Sequence, residues 1–210
     1  MLISLIIWLL AVTIALTLHE AAHALVSDRL GDPTARVLGR LSLDPREHWD
    51  PIGTTLLFVT AAMAAFGAPV IPFGWAKPVM FDPYNLANPK RDAALIALGG
   101  PAANLLFAIL MSVLFRLFLM ELPFINLIAV AVISVNISLA IFNLIPINPL
   151  DGSKVLYGLL PRDLADDYQT IMSRYGTMIL LFLIIPFGGA SALTTLISPV
   201  INFLLRLLLP

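Results

Sequence analysis

Leu16-Thr17-Leu18-His19-Glu20-Ala21-Ala22-His23-Ala24-Leu25 reads H-E-x-x-H inside an apolar run that begins at Met1. On a helix, His19 and His23 stand one turn apart on one face. That is the spacing two imidazoles need to hold one Zn²⁺. Glu20 lies beside them, placed to take a proton from water. The alternative is two imidazoles and a carboxylate stranded by chance in a membrane helix. The chain has only three His and three Glu, and two of the first and one of the second fall here. Such groups are costly at membrane depth without partners, so a metal site is the expected reading.

Working outward, Leu2 to about Val26 is long enough to span a bilayer, which needs about 20 apolar residues. It lacks a basic start and runs straight into the motif, so it reads as a span rather than a cleaved signal. Composition agrees. The 210 residues are 60% hydrophobic and 12% charged, against about 25% charged in soluble chains. Mean hydropathy is +0.95. The net charge of −1, with no basic stripe, gives no footprint for nucleic acid. There is no cysteine, so a metal must take His and carboxylate ligands.

Beyond the first span, Ser27 to Asp50 is polar, with a turn at Gly31-Asp32-Pro33. Thr34 to Leu43 partly alternates, with Val37, Leu41 and Leu43 against Arg36, Arg40 and Ser42. That pattern predicts a short strand or hairpin with a bulge at Gly39. Ile52 to Ile71 is apolar but broken by Gly67 and Pro69, with Pro72 just beyond. Further spans are expected at about Ala93–Leu119 and Phe124–Ile145. Ser153 to Leu160 reads as a short helix, and Arg162 to Arg174 as polar chain. Tyr175–Phe187 and Ala190–Leu209 read as a closing helical pair around Pro186-Phe187-Gly188-Gly189.

The expected fold is therefore an all-α polytopic membrane protein. It has about five spans, a re-entrant or sixth apolar segment at 52–71, and a small β element after the first helix. It forms a single membrane-embedded domain over 1–210, with a core at about 10–160 and the helical pair at 175–209. Basic residues test the topology. If 52–71 spans fully, they split five against seven. If it dips in and returns, eleven share one side and only Arg116 lies on the other, as a cytoplasmic face should show.

A catalytic zinc needs a third protein ligand. Asp151 follows a span between Pro149 and Gly152 and is one candidate; as a bland alternative it is a helix N-cap. His48, beside Asp50, is the other candidate, or simply a solvated loop histidine. Asn104 and Asn143 are either hydrogen-bonding glue between helices or contacts to a substrate backbone or oxyanion.

The chain resembles the site-2 protease family of intramembrane zinc metalloproteases, in its short form without a PDZ or CBS domain. His19-Glu20-Ala21-Ala22-His23 matches that family's zinc helix. Gly99-Gly100-Pro101-Ala102-Ala103-Asn104 is similar to its G-P-x-x-N helix. Asn143-Leu144-Ile145-Pro146-Ile147-Asn148-Pro149-Leu150-Asp151-Gly152 matches its N-x-x-P-x-x-P-L-D-G signature. Gly39 to Pro45 and Phe73 to Val79 are similar to the short bacterial members. The resemblance implies that Asp151 is the third ligand, beside His19 and His23, of one Zn²⁺ per chain. It implies Glu20 as the catalytic base and a substrate-handling role for Asn143. The implied activity is intramembrane endopeptidase, acting on transmembrane protein substrates in the lipid bilayer. The implied place is a multi-pass cell membrane protein whose site opens to the cytoplasm. The competing class is a non-hydrolytic metal-binding transporter or scaffold, which would have no use for Glu20.

Overall fold

The computed structural model describes residues 2–68, 70, 72–119, 123–186 and 191–209, and these are helical or irregular, with no strand among them. The helices are α1 (Leu2–Arg29), α2 (Thr34–Val37), α3 (Gly53–Ala65), α4 (Pro89–Leu114), α5 (Pro123–Asn143), α6 (Asp151–Leu159), α7 (Arg162–Ile184) and α8 (Ala192–Leu208). Phe115–Leu119 continues α4 as a wider π-turn, and single 3₁₀ turns occupy Pro45–His48 and Pro83–Asn85. Three described helices are long and apolar enough to cross a membrane: α1, α4 with its extension, and α5. Pro69, Ile71 and the stretch 187–190 lie outside the described residues.

The expected β element is absent. Thr34–Val37 is one turn of helix, and Gly39, at φ 74°, ends it. The Gly39 amide donates to Arg36 O and the Arg40 amide to Ala35 O, the paired bonds of a Schellman cap. The same cap closes α1 at Gly31, φ 105°, with Gly31 N–H to Asp28 O and Asp32 N–H to Ser27 O. Gly39 is thus a helix stop, and the alternation around it belongs to a cap and an irregular segment.

Asp32 knots this junction. It is fully buried and accepts five hydrogen bonds: from Ser27 Oγ, Thr34 N, Thr34 Oγ1, Asp82 N and Asn85 Nδ2. Burial disfavours its charge. The bonds from the Thr34 hydroxyl, the Asn85 amide and the Asp82 and Thr34 backbone outweigh that and hold its pKa at about 2, below the ordinary 3.8. Its stabilisation is therefore complete above pH 3.8 and is lost as pH falls from there through about 2. Asp32→Ala should destabilise the fold by about 2–3 kcal/mol, since it orphans buried donors. Thermal unfolding in detergent checks this: the gap between wild type and variant should narrow as pH falls from 3.8 toward 2, and a gap that does not narrow contradicts the account.

α1 and α4 run antiparallel, with Gly99 against Val26 and Asn104 against Ala15. α5 lies antiparallel to α4, with Ala108 packed on Ile133 and Ile137. α8 starts at the far end of α5, where Leu193 meets Ile145 and Leu150, and finishes beside the end of α4. There Ser112 Oγ donates to Leu208 O, and the Arg116 guanidinium donates to Leu207 O and Leu209 O. A cation at carbonyls left free by a helix C-terminus is favourably placed. This corrects the charge count, because Arg206 shares the Arg116 end. The split is ten against two.

The closing pair also differs from expectation. α7 begins at Arg162, so the polar stretch is helical. It is not paired lengthwise with α8. Tyr168 Oη donates to Pro146 O, Gly176 sits against Asn148, and Leu180 packs on Ile145 and Leu150. α7 therefore lies across the turn between α5 and α6. The sequence hides this because its polar first half reads as loop when only its apolar second half is scored.

Residues 53–68 leave one end of the bundle, and residues 72–79 return to the same end. Asp50 Oδ1 accepts the Ile52 and Gly53 amides and so starts α3. Contacts then nest: Lys77 N–H to His48 O, Thr54 Oγ1 to Trp75 O, and Phe73 N–H to Thr60 Oγ1. α3 has 13 residues, about 20 Å at 1.5 Å per residue, short of a hydrocarbon core of about 30 Å.

Candidate metal centre

His19 and His23 project from the last third of α1, and Asp151 is the first residue of α6. Their ligand atoms all lie within 4.8 Å of one another. Asp151 Oδ2 is 3.0 Å from His19 Nε2 and 3.1 Å from His23 Nε2. The imidazoles stand edge to face, with ring centroids 4.6 Å apart. All three residues are buried.

Local sequence brings these groups together. The Leu144 and Ile145 carbonyls press on Gly152, where any Cβ would collide with them, and so deliver Asp151 to the site. A Cβ on Gly100 would lie 2.5 Å from His23 Nε2 and 2.7 Å from His19 Nε2. Only glycine lets the α4 backbone lie against both rings.

The other ring nitrogens decide what the site can hold. His19 Nδ1 is 2.6 Å from Asn104 Oδ1, and His23 Nδ1 is 2.7 Å from Ile96 O. Both partners are acceptors, so each Nδ1 carries a proton and each ring presents its Nε2 to Asp151 Oδ2. Both Nε2 atoms converge on one carboxylate oxygen, so the group closes either through protons on the rings or through a metal ion held between the three side chains. Two imidazoles and a carboxylate, each imidazole tied through its second nitrogen, match the donor set of zinc sites.

Glu20 is half-buried, and its Oε2 accepts the Val79 amide at 3.2 Å. Val79 ends the returning arm, residues 72–79. Arg40, 4% exposed, steadies that arm through Nη2 bonds to Lys77 O and Pro78 O.

Of the remaining sequence candidates, Asn104 bonds His19, whereas His48, Asp50 and Asn143 bond other groups. His48 is outside the three-residue group; it is buried, with Nε2 donating to Ser42 O at 2.8 Å. Asp50 caps α3. Asn104 is fully buried, and both its N–H bonds are spent, on Ala15 O and Asn136 Oδ1. Asn143 lies at the end of α5, with its amide donating to Leu139 O. Asn136, fully buried behind Asn104, was not singled out by the sequence reading, although an amide inside an apolar span is a signal in itself. Arg40 left no comparable signal, because its burial depends on the returning arm.

An apolar groove of about 450 Å³ opens between α1, α3 and α5, lined among others by Trp8, Leu16, Leu57, Ser134, Ser138 and Phe142. Leu16 is one helical turn from Glu20.

Comparisons with known proteins agree with this chemistry. The model of peptidase family M50 matches residues 119–183, the stretch that carries Asp151. YwhC of Bacillus subtilis (strain 168), which carries the name of a zinc metalloprotease, is 32% identical over 187 residues, covering 84% of this chain and 79% of YwhC. Rip2 of Mycobacterium tuberculosis (strain ATCC 25618 / H37Rv), named likewise, is 29% identical over 178 residues, covering 83% of this chain and 63% of Rip2. Rip2 of Mycolicibacterium smegmatis is 28% identical, with 64% of its length covered. No solved structure matches. A zinc-type donor set among membrane-length helices, together with this likeness along most of the chain, gives one conclusion: the chain belongs to the site-2 protease family, peptidase family M50, and is a membrane-embedded zinc metalloendopeptidase.

Proposed function

We propose that this protein hydrolyses peptide bonds within transmembrane segments of other proteins, as a single membrane-embedded domain over 1–210. The observation that carries the reading is the convergence of His19 Nε2, His23 Nε2 and Asp151 Oδ2, with Glu20 next to His19 in the sequence. His19, His23 and Asp151 hold the zinc. When bound, the metal supplies a Lewis acid that activates water and polarises a carbonyl. Glu20 takes the proton of the attacking water and passes it to the leaving amine as the C–N bond breaks. Asn143 engages the substrate backbone near the cut.

The end of the bundle that holds the metal site also holds ten of the twelve basic residues. That asymmetry supports a cytoplasmic opening in a cell membrane. Four crossings, by α1, α4, α5 and α8, fit the packing, with α3 entering beside α1 on its buried Thr54, Leu57 and Ala61 face and turning its apolar outer face to lipid. The groove beside Leu16 suits an apolar segment, and Ser134 and Ser138 offer hydroxyls to an unwound backbone.

The test uses zinc-loaded protein in liposomes and two transmembrane substrates. One carries Asn-Pro near its cytoplasmic end; the other is a continuous Leu-rich helix. Mass spectrometry should find a cut inside the first span, rates at least about tenfold lower on the second, and no cutting after chelation. Cleavage confined to extramembrane loops would sink the proposal.

A further inference from the structure

Behind His19 lies a chain of side-chain amides that the hydrolytic mechanism does not use. His19 Nδ1 donates to Asn104 Oδ1 at 2.6 Å. Asn104 Nδ2 donates to Ala15 O at 2.9 Å and to Asn136 Oδ1 at 2.8 Å. Asn136 Nδ2 donates to Val132 O at 2.8 Å. Both asparagines are 0% exposed. The chain joins α1, α4 and α5 at the level of the metal ligands.

Its polarity is fixed at two ends. Backbone carbonyls only accept. Val132 O therefore takes an N–H from Asn136, which turns Asn136 Oδ1 toward Asn104. Ala15 O and Asn136 Oδ1 together take both N–H groups of Asn104, which turns Asn104 Oδ1 toward His19. An acceptor there requires a proton on Nδ1 and leaves Nε2 as the nitrogen that can bind a metal. If Asn104 flipped, its oxygen would face two acceptors at once. In a span, no water can relieve that mismatch.

We propose that Asn136 is a positioning residue that acts through Asn104 to hold His19 in its metal-binding tautomer and so sets zinc affinity. The inference rests on the assignment of His19 as a zinc ligand. Without Asn136, one Asn104 N–H loses its acceptor and only Ala15 O opposes the flip. Outer-shell partners of metal-bound histidines are typically worth about 10–100-fold in affinity. Asn136 is one bond further out, so the effect expected is about tenfold.

Asn136→Leu and Asn136→Asp, compared with wild type and His19→Ala, make the test. Leucine fills similar space and suits an apolar helix, so the variant keeps its fold. Aspartic acid, kept protonated by burial in the span, donates its O–H to Val132 O and keeps an acceptor oxygen opposite Asn104. Two readouts are needed: zinc affinity by chelator competition, and the ¹⁵N spectrum of labelled histidine in zinc-free protein. Asn136→Leu should bind zinc about tenfold more weakly, and its His19 should lose the single Nδ1–H signature. Asn136→Asp should restore both. If Asn136→Leu leaves both readouts unmoved while His19→Ala still loses zinc, the amide chain is packing and this inference falls alone. Failure of Asn136→Asp to restore them also overturns it. If His19→Ala binds zinc normally, the site assignment falls and this inference with it.

Discussion

Asp151→Ala is expected to abolish zinc binding and, with it, proteolysis. The carboxylate is the only anion in the three-residue group, and its Oδ2 is the atom both imidazoles face. Without it, two imidazole nitrogens alone remain to compete with water for a divalent ion in a buried site. Outer-shell changes alone cost about 10–100-fold in metal affinity, so loss of a ligand should exceed about 10³-fold. Asp151→Asn separates charge from shape: it fits the same space but offers a neutral oxygen, and zinc binding should again be lost. His48→Ala is the control. His48 bonds Ser42 O and lies outside the group, so its removal should leave one zinc per chain. Elemental analysis of dialysed protein decides, with thermal unfolding to show that each variant is folded. Zinc retained by Asp151→Ala and lost by His48→Ala would reverse the assignment.

How much of this site could be read from the chain depends on the range of the interactions that build it. His19, Glu20 and His23 lie within one helical turn, so spacing alone places them together. Asp151 is 128 residues further on than His23, and no periodicity connects them; only its motif pointed there. Asn136 was legible as a costly amide in an apolar helix, but not as the second link behind His19, because that depends on how α4 and α5 face. Arg40, Val79 and the carbonyl of Ile96 are placed by tertiary packing or act through backbone atoms, which carry no residue-specific signal. The fold shows the same division. The three long apolar helices follow from hydropathy. The strand expected around Gly39 failed because a Gly with positive φ serves a helix stop as well as a bulge. α7 was half missed because a helix lying across the end of a bundle carries a polar face where a span would not.

Glu20→Gln should lower turnover by about 10²–10⁴-fold, the range for losing a positioned general base, while zinc content stays at one per chain. Glutamine keeps the length of the side chain and an oxygen to accept the Val79 amide, so the returning arm stays in place. What it loses is the ability to take a proton from water and return it to the leaving nitrogen. The variant therefore divides catalysis from metal binding, and it divides the two functional classes as well. A transporter or scaffold needs His19, His23 and Asp151 but is indifferent to the neighbouring carboxylate. Cleavage rates on a transmembrane substrate, measured beside elemental analysis, read both at once. Zinc kept with turnover lost is the signature of a hydrolase with Glu20 as its base. Turnover unchanged in Glu20→Gln would remove Glu20 from the chemistry. Loss of zinc together with turnover would mean that Glu20 supports the metal rather than the proton transfer. The Val79 contact also makes a finer point. Deleting the side chain in Glu20→Ala releases the returning arm as well as the base, so it should cost at least as much as Glu20→Gln. Any excess measures what the arm contributes to holding the site.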